Sequence, residues 1–170
     1  MSKITNNVTR LLQSRKIAFS AFELPSEKLG ALETANLLGI PARQVFKSIV
    51  LLREKPSKPI LAIIPGDREV DLKLVAVAVN EKKVRLATQK EAESLTGLEV
   101  GGISPLALLQ RGFQMLLDRT AEQYLEIHIS GGQRGLNIRL SVKSLLGLTN
   151  AHLAELSSFP DSSARPPDSV

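Results

Sequence analysis

The sequence predicts a single α/β domain: a mixed β-sheet, partly barrel-like, flanked by helices. Three observations carry that prediction. Runs rich in β-branched and aliphatic residues, such as Val45–Leu52 and Ile60–Ile64, alternate along the chain with segments of helical periodicity. Several links between these segments are short and hairpin-like, which a wholly parallel sheet does not allow. A chain of 170 residues, 43% hydrophobic and 23% charged, is long enough for one well-buried core and too short for two domains.

Each element follows from local pattern. Val8, Leu11 and Leu12 recur at helical spacing, so Ile4 to Lys16 reads as an amphipathic helix, and Ile17 to Leu24 as a short strand. After Pro25-Ser26, the apolar positions Leu29, Leu32, Ala35, Leu37 and Leu38 make a second helix, stopped by Gly39, with a short turn opening at Pro41. Val45–Leu52 and Ile60–Ile64 flank the polar link Glu54–Pro59 and read as a hairpin. Asp71 to Asn80 fits neither period cleanly, and a helix is the preferred reading. Thr88 and Glu91 have capping-box spacing, so a helix should run from Thr88 to Leu95 and stop at Gly97. Phe113–Leu117, Leu125–Ile129 and Leu136–Leu140 read as strands, and Lys143–Leu146 as a helical turn ended by Gly147. The domain is therefore placed at residues 4–156. From Ser157 onward the chain is rich in Ser and Pro with little to bury, and residues 157–170 are expected to form a disordered tail.

Composition excludes several function classes. The chain has no cysteine, which removes disulfides, thiolate nucleophiles and thiolate metal sites. Two distant histidines, His128 and His152, argue further against a transition-metal site. No apolar run is long enough to cross a membrane and no leader-like segment opens the chain, so a cytoplasmic location is expected. The net charge of +5 favours a polyanionic partner such as RNA, with no reason to expect DNA. Aromatics make up only 4%, so a base-stacking platform is not expected and any RNA would be held through phosphate and shape.

The candidate chemistry lies in two glycine-rich turns and a strand lysine. Alternation puts Lys47 on one face with Val45, Ile49 and Leu51, so it is either a strand-end lysine reaching water or a partly desolvated ammonium aimed at a ligand oxygen. Gly101-Gly102, before Ile103-Ser104-Pro105, lets backbone N–H groups approach a ligand closely, although such a turn is often only a turn. Ser130-Gly131-Gly132-Gln133-Arg134-Gly135 adds a hydroxyl and a guanidinium. Neither turn matches a phosphate-binding or dinucleotide fingerprint, so no cofactor is implied. His128 lies on the opposite side of its strand from Ile127 and Ile129, as a solvent-facing or hydrogen-bonded residue. Lys82, Lys83 and Arg85 form a basic cluster, either a solvated rim or an RNA contact.

Leu38-Gly39, Val45-Phe46-Lys47-Ser48, Gly101-Gly102-Ile103-Ser104-Pro105 and Ser130–Leu136 resemble, in order and spacing, the YbaK/EbsC family of aminoacyl-tRNA deacylases. That family is related to the editing domain of bacterial prolyl-tRNA synthetases. The resemblance implies trans-editing of mischarged aminoacyl-tRNA, Cys-tRNA(Pro) above all, with tRNA(Pro) as partner and prolyl-tRNA synthetase as a candidate second partner. It implies Lys47 as the essential lysine holding the tRNA 3′ end, Gly101 as a source of backbone contacts, and Ser130 on the pocket wall. Phe22, Leu24, Gly102, Ser104, Pro105, Gly131, Gly132, Arg134 and Asn137 complete the implied substrate site. In the YbaK branch the thiol of the cysteine substrate attacks its own ester, so no protein nucleophile is needed. The chain departs from that branch at Leu24, where a tyrosine is usual, and at Asn137, where an aspartate is expected. Removal of Ala, Ser or another small amino acid by water, and a non-catalytic RNA-binding or regulatory module, are the alternatives.

Overall fold

The computed structural model describes residues 3–160. In chain order the elements are α1 (Asn7–Ser14), β1 (Phe19–Glu23), α2 (Ala31–Leu38), β2 (Phe46–Arg53), β3 (Ile60–Pro65), β4 (Glu69–Val70), α3 (Leu72–Ala78) and β5 (Val84–Leu86). They continue with α4 (Gln89–Thr96), β6 (Gln114–Asp118), β7 (Glu126–Ser130), β8 (Leu136–Ser141), α5 (Val142–Thr149), β9 (His152–Ala154) and β10 (Ser157–Ser158).

The expected hairpin is the centre of the fold. β2 and β3 pair antiparallel from Phe46 opposite Pro65 to Leu51 opposite Ile60. β3 then runs parallel to β6, and β6 to β9, while β5 pairs antiparallel with the far end of β2. The resulting five-stranded sheet, in the order β5-β2-β3-β6-β9, is mixed as the sequence predicts. A three-stranded antiparallel sheet, β1-β8-β7, lies apart from it, and the single parallel bridge between Val45 and His128 links them. The sheets do not close, so the barrel-like expectation goes no further than that bridge.

Two cores explain why β3 reads as an unbroken apolar run: all of its residues are buried. Phe46, Val50, Leu61 and Ile63 pack with Ile127, Ile129, Ile138 and Leu140 of the smaller sheet and with Val8 and Leu12 of α1. On the other face Leu51, Ile60, Ala62 and Ile64 meet Val75 and Ala76 of α3. A strand buried on both sides has no polar face to show in its sequence.

Local signals end the helices largely as expected. Thr88 and Glu91 form a reciprocal capping box on α4, and Gly39 and Gly97 adopt left-handed C-cap conformations. Asp71 settles the ambiguous segment as a helix by accepting hydrogen bonds from the Lys73 and Leu74 N–H groups. Three expectations need correction. α5 runs past Gly147 to Thr149 and is ended by Asn150 at φ 53°, so this glycine is helical rather than a stop. α2 begins two residues later than Leu29 and leaves Leu32 and Leu37 exposed, with Thr34 and Ala35 as its buried face. Ser157 and Ser158 pair with β4 as β10, and the Ser157 hydroxyl donates to buried Asp118 at 2.7 Å. The expected tail therefore does not begin at Ser157, and its remainder, 161–170, lies outside the described residues.

Candidate functional site

A cavity of about 420 Å³ opens beside β2, beyond the Val45–His128 bridge where β7 parts from it and before β5 joins it. Val45 and residues 46–50 of β2 form one wall. Ser130, Leu136 and Asn137, from the end of β7 and the start of β8, form a second. The mouth is bordered by Glu27, Lys28 and Leu29, by Thr34 of α2, by Ala87 and Gln89, and by Val100, Gly101 and Ile103.

Lys47 stands on the β2 wall, opposite Ile64 in the ladder and at the end of the stripe it shares with Ile49 and Leu51. Burial lowers its pKa from the ordinary lysine value, and the nearby charges of Glu69 and Asp67 oppose that shift. A cation that has lost part of its hydration yet has only carboxylates at a distance is available to an incoming anion.

The two glycine-rich turns meet, and their residues divide between two roles. Gly101 borders the cavity in a left-handed conformation, φ 99°, that a side chain rarely adopts. Gly102 faces the other turn: a Cβ there would lie 2.7 Å from the Arg134 N and the Gln133 carbonyl carbon. The Arg134 Nε donates to the Val100 O at 2.9 Å and its guanidinium pairs with Glu99 at 3.0 Å, clamping the turns together. Asn6, the N-cap of α1, donates to the Gly131 O at 2.8 Å and anchors the second turn from behind. Gly131 packs on Leu136, and Gly132 on Val8. Ser104 is fully buried and caps the turn at Pro105 by accepting from the Leu106 N–H. Of the implied substrate residues, Leu24, Lys47, Gly101, Ser130 and Asn137 border the cavity. Gly102, Ser104, Pro105, Gly131, Gly132 and Arg134 do not, and their contacts give them the work of shaping the turns.

Phe22 also lies off the cavity, but it stands directly opposite Asn137 in the β1–β8 ladder and packs on the His128 ring with centroids 5.6 Å apart. Leu24 instead donates its N–H to the Gly135 O, holding the second turn. His128 donates from Nδ1 to the Asn137 Oδ1 at 2.8 Å. Its burial lowers its pKa, with the bond to Asn137 opposing. It is hydrogen-bonded rather than solvent-facing, and buried. The basic cluster is split: Arg85 is held by Glu91, whose carboxyl it pulls down to about 2, whereas Lys82 and Lys83 are exposed.

Sequence reasoning missed the border formed by Glu27–Leu29, Thr34, Ala87 and Gln89. These residues come from three separate segments, and no local spacing marks them. The pattern of aminoacyl-tRNA editing domains matches residues 26–148, which include every residue bordering the cavity except Leu24. The chain belongs to this family. It is 36% identical to EbsC of Enterococcus faecalis, assigned as a Cys-tRNA(Pro)/Cys-tRNA(Cys) deacylase, over 88% of this chain and 92% of that one. A crystal structure described as a trans-editing enzyme for prolyl-tRNA synthetase superposes with a TM-score of 0.75 at 29% identity, covering 92% of this chain and 99% of the other. The proline–tRNA ligase of Pelotomaculum thermopropionicum is 30% identical over 52% of this chain, which spans only 15% of that ligase. Among the described residues of this editing domain, no helix is long and apolar enough to cross a membrane, and no group of three or more His, Cys, Asp or Glu side chains could hold a metal.

Proposed function

We propose that the chain is a trans-acting aminoacyl-tRNA deacylase that removes cysteine from tRNA(Pro), with Lys47, Gly101 and Ser130 in contact with the aminoacyl end. The observation that carries this reading is the cavity itself: all of its lining except Leu24 lies within the editing-domain segment, and it gathers those residues from separate elements around a partly desolvated ammonium. Lys47 serves as a point charge for the phosphate or ribose oxygens at the tRNA 3′ end. The cysteine thiol, on losing its proton, attacks its own ester carbonyl. A cyclic thioester forms, the bond to the ribose oxygen breaks, that oxygen takes up a proton, and water later opens the ring. The protein supplies orientation and stabilises the charge that builds on the carbonyl oxygen. Such chemistry suits a chain that has no cysteine of its own.

A second reading, removal of alanine or serine by water, draws on Leu24 and Asn137, which stand where the cysteine-specific branch has a tyrosine and an aspartate. The partnership with prolyl-tRNA synthetase is proposed for delivery of the tRNA. Incubation of purified protein, at catalytic concentration, with separately charged Cys-, Ala- and Ser-tRNA(Pro) tests the assignment. Release of cysteine alone supports the first reading, and release of alanine or serine the second. Intact ester in every case replaces both with a non-catalytic RNA-binding module.

A further inference from the structure

The cavity wall built by β2 is a strand edge, and its main-chain groups have a direction that the ladder fixes. In an antiparallel pair, residues that exchange hydrogen bonds alternate with residues that do not. The Gly66 N–H donates to the Val45 O at 2.7 Å, continuing the β2–β3 register one step outward. Lys47, Ile49 and Leu51 therefore spend their main-chain groups on β3, while Phe46, Ser48 and Val50 direct theirs to the opposite edge. An independent bond agrees: the Ala87 N–H donates to the Val50 O at 3.0 Å from that side. β5 covers this edge only from Leu51 to Arg53, and the bridge to β7 lies at Val45, just before β2 begins. Between them, among the described residues, no strand covers Ser48. That residue lies on the cavity wall, and the wall takes in consecutive residues from both faces of β2, as only an open edge allows.

Ser48, between the bridge to β7 and the bond from Ala87, offers an uncovered N–H and an uncovered C=O on one residue, and the stretch left open is only a few residues long. A peptide strand requires several residues to add to an edge. An aminoacyl ester has one donor group, its α-ammonium, and one acceptor, its carbonyl oxygen, spaced like the N–H and C=O of a single strand residue. We propose that Ser48 pairs with the aminoacyl end as an added strand residue would. Its C=O accepts from the α-ammonium, and its N–H donates to the ester carbonyl oxygen. This rests on the deacylase reading above and deepens it: the edge recognises the amino acid's main-chain atoms whatever its side chain, and the Ser48 N–H faces the oxygen on which charge accumulates when the ester is attacked. Lys47, the neighbouring residue, is then left for the tRNA end.

The test compares the wild-type chain on tRNA(Pro) carrying the amino acid it removes and carrying the same acid without its α-amino group, 3-mercaptopropionate for cysteine or propionate for alanine. Each rate is divided by the spontaneous rate for the same ester. The deaminated ester should be cleaved about tenfold to a hundredfold more slowly, the loss expected for one hydrogen bond to a charged group. In parallel, Ser48→Pro removes the N–H while costing no ladder bond, and should lower kcat about a hundredfold. Equal corrected rates for the two esters, or a folded Ser48→Pro with normal turnover, overturn the proposal and leave the deacylase reading standing. Should Ser48→Pro fail to fold, the ester comparison, which needs no variant, decides alone. A wild-type chain that releases nothing from any charged tRNA overturns both.

Discussion

Within the same two glycine-rich turns, Gly101 and Ser130 border the cavity, whereas Gly102, Ser104, Gly131 and Gly132 stand behind it, packed against backbone or core. In the sequence these residues are equivalent, since each glycine permits close approach. The structure shows that what approaches differs: at Gly102 it is main chain of the other turn, within 2.7 Å of an added Cβ, and at Gly101, which also lines the cavity, it is Lys28 at 3.3 Å and the Arg134 side chain at 3.5 Å. Glycine near a site is therefore of two kinds, and mutation should separate them. Residues behind the cavity should lose stability when changed, and residues on its border should lose activity.

The largest effect is expected at Gly102→Ala. The added Cβ would meet main-chain atoms of Gln133 and Arg134, which cannot swing aside as a side chain does, so the two turns must part. A loss of about 3 kcal/mol is expected, read as a lowered urea midpoint or melting temperature. A melting temperature equal to that of wild type would erase the distinction between the turns. Next comes Lys47→Met, expected to reduce deacylation about a hundredfold while leaving the melting temperature unchanged or raised. Its pH dependence has a definite sign. Burial lowers the Lys47 value in the folded chain, so below that value the ammonium is charged in both states and its cost to stability is fully present. As pH rises from there towards the ordinary 10.5, the folded chain releases the proton first and stability is recovered. Denaturation of wild type and variant across that interval should show any stability advantage of Lys47→Met shrinking with pH.

Gly101→Ala should fall between the classes. Its backbone conformation costs an alanine about 1–2 kcal/mol, and the new Cβ would sit 3.3 Å from the Lys28 Cα at the cavity mouth. A modest drop in melting temperature with a larger loss of turnover is the expected pattern; a stability loss as large as that of Gly102→Ala would make the turn structural throughout. The smallest effect is expected from Asn137→Asp. A carboxylate opposite the His128 Nδ1 favours the imidazolium, so an NMR titration should find the His128 value higher than in wild type. In wild type, whose His128 value is lowered, stability should decline as pH falls below 6.5, and the variant should lose less over the same interval.

Much of the fold was legible because helix ends announce themselves. Thr88 with Glu91, and glycine at positions 39 and 97, are chemical signals confined to a few neighbouring residues. The short strands β4, β5, β9 and β10 carry no such signal. Each has two or three residues and exists because a partner strand is waiting for it, which is information held elsewhere in the chain. The site divides in the same way. Lys47 stood out as a charge in an apolar run and Gly101 as half of a glycine pair, but Ser48 looked like an ordinary strand residue. Its importance comes from where β5 stops and β7 departs, which only the ladder reveals.

The most direct measurement is a backbone amide NMR titration of the full chain with a non-hydrolysable aminoacyl-adenosine, the ester oxygen replaced by NH. With the aminoacyl end in the cavity between β2 and the glycine turns, the largest shifts should fall on the amides of Ser48, Gly101 and Ser130, with those of Lys82 and Lys83 unmoved. Shifts concentrated at Lys82 and Lys83, with Ser48 silent, would contradict that placement.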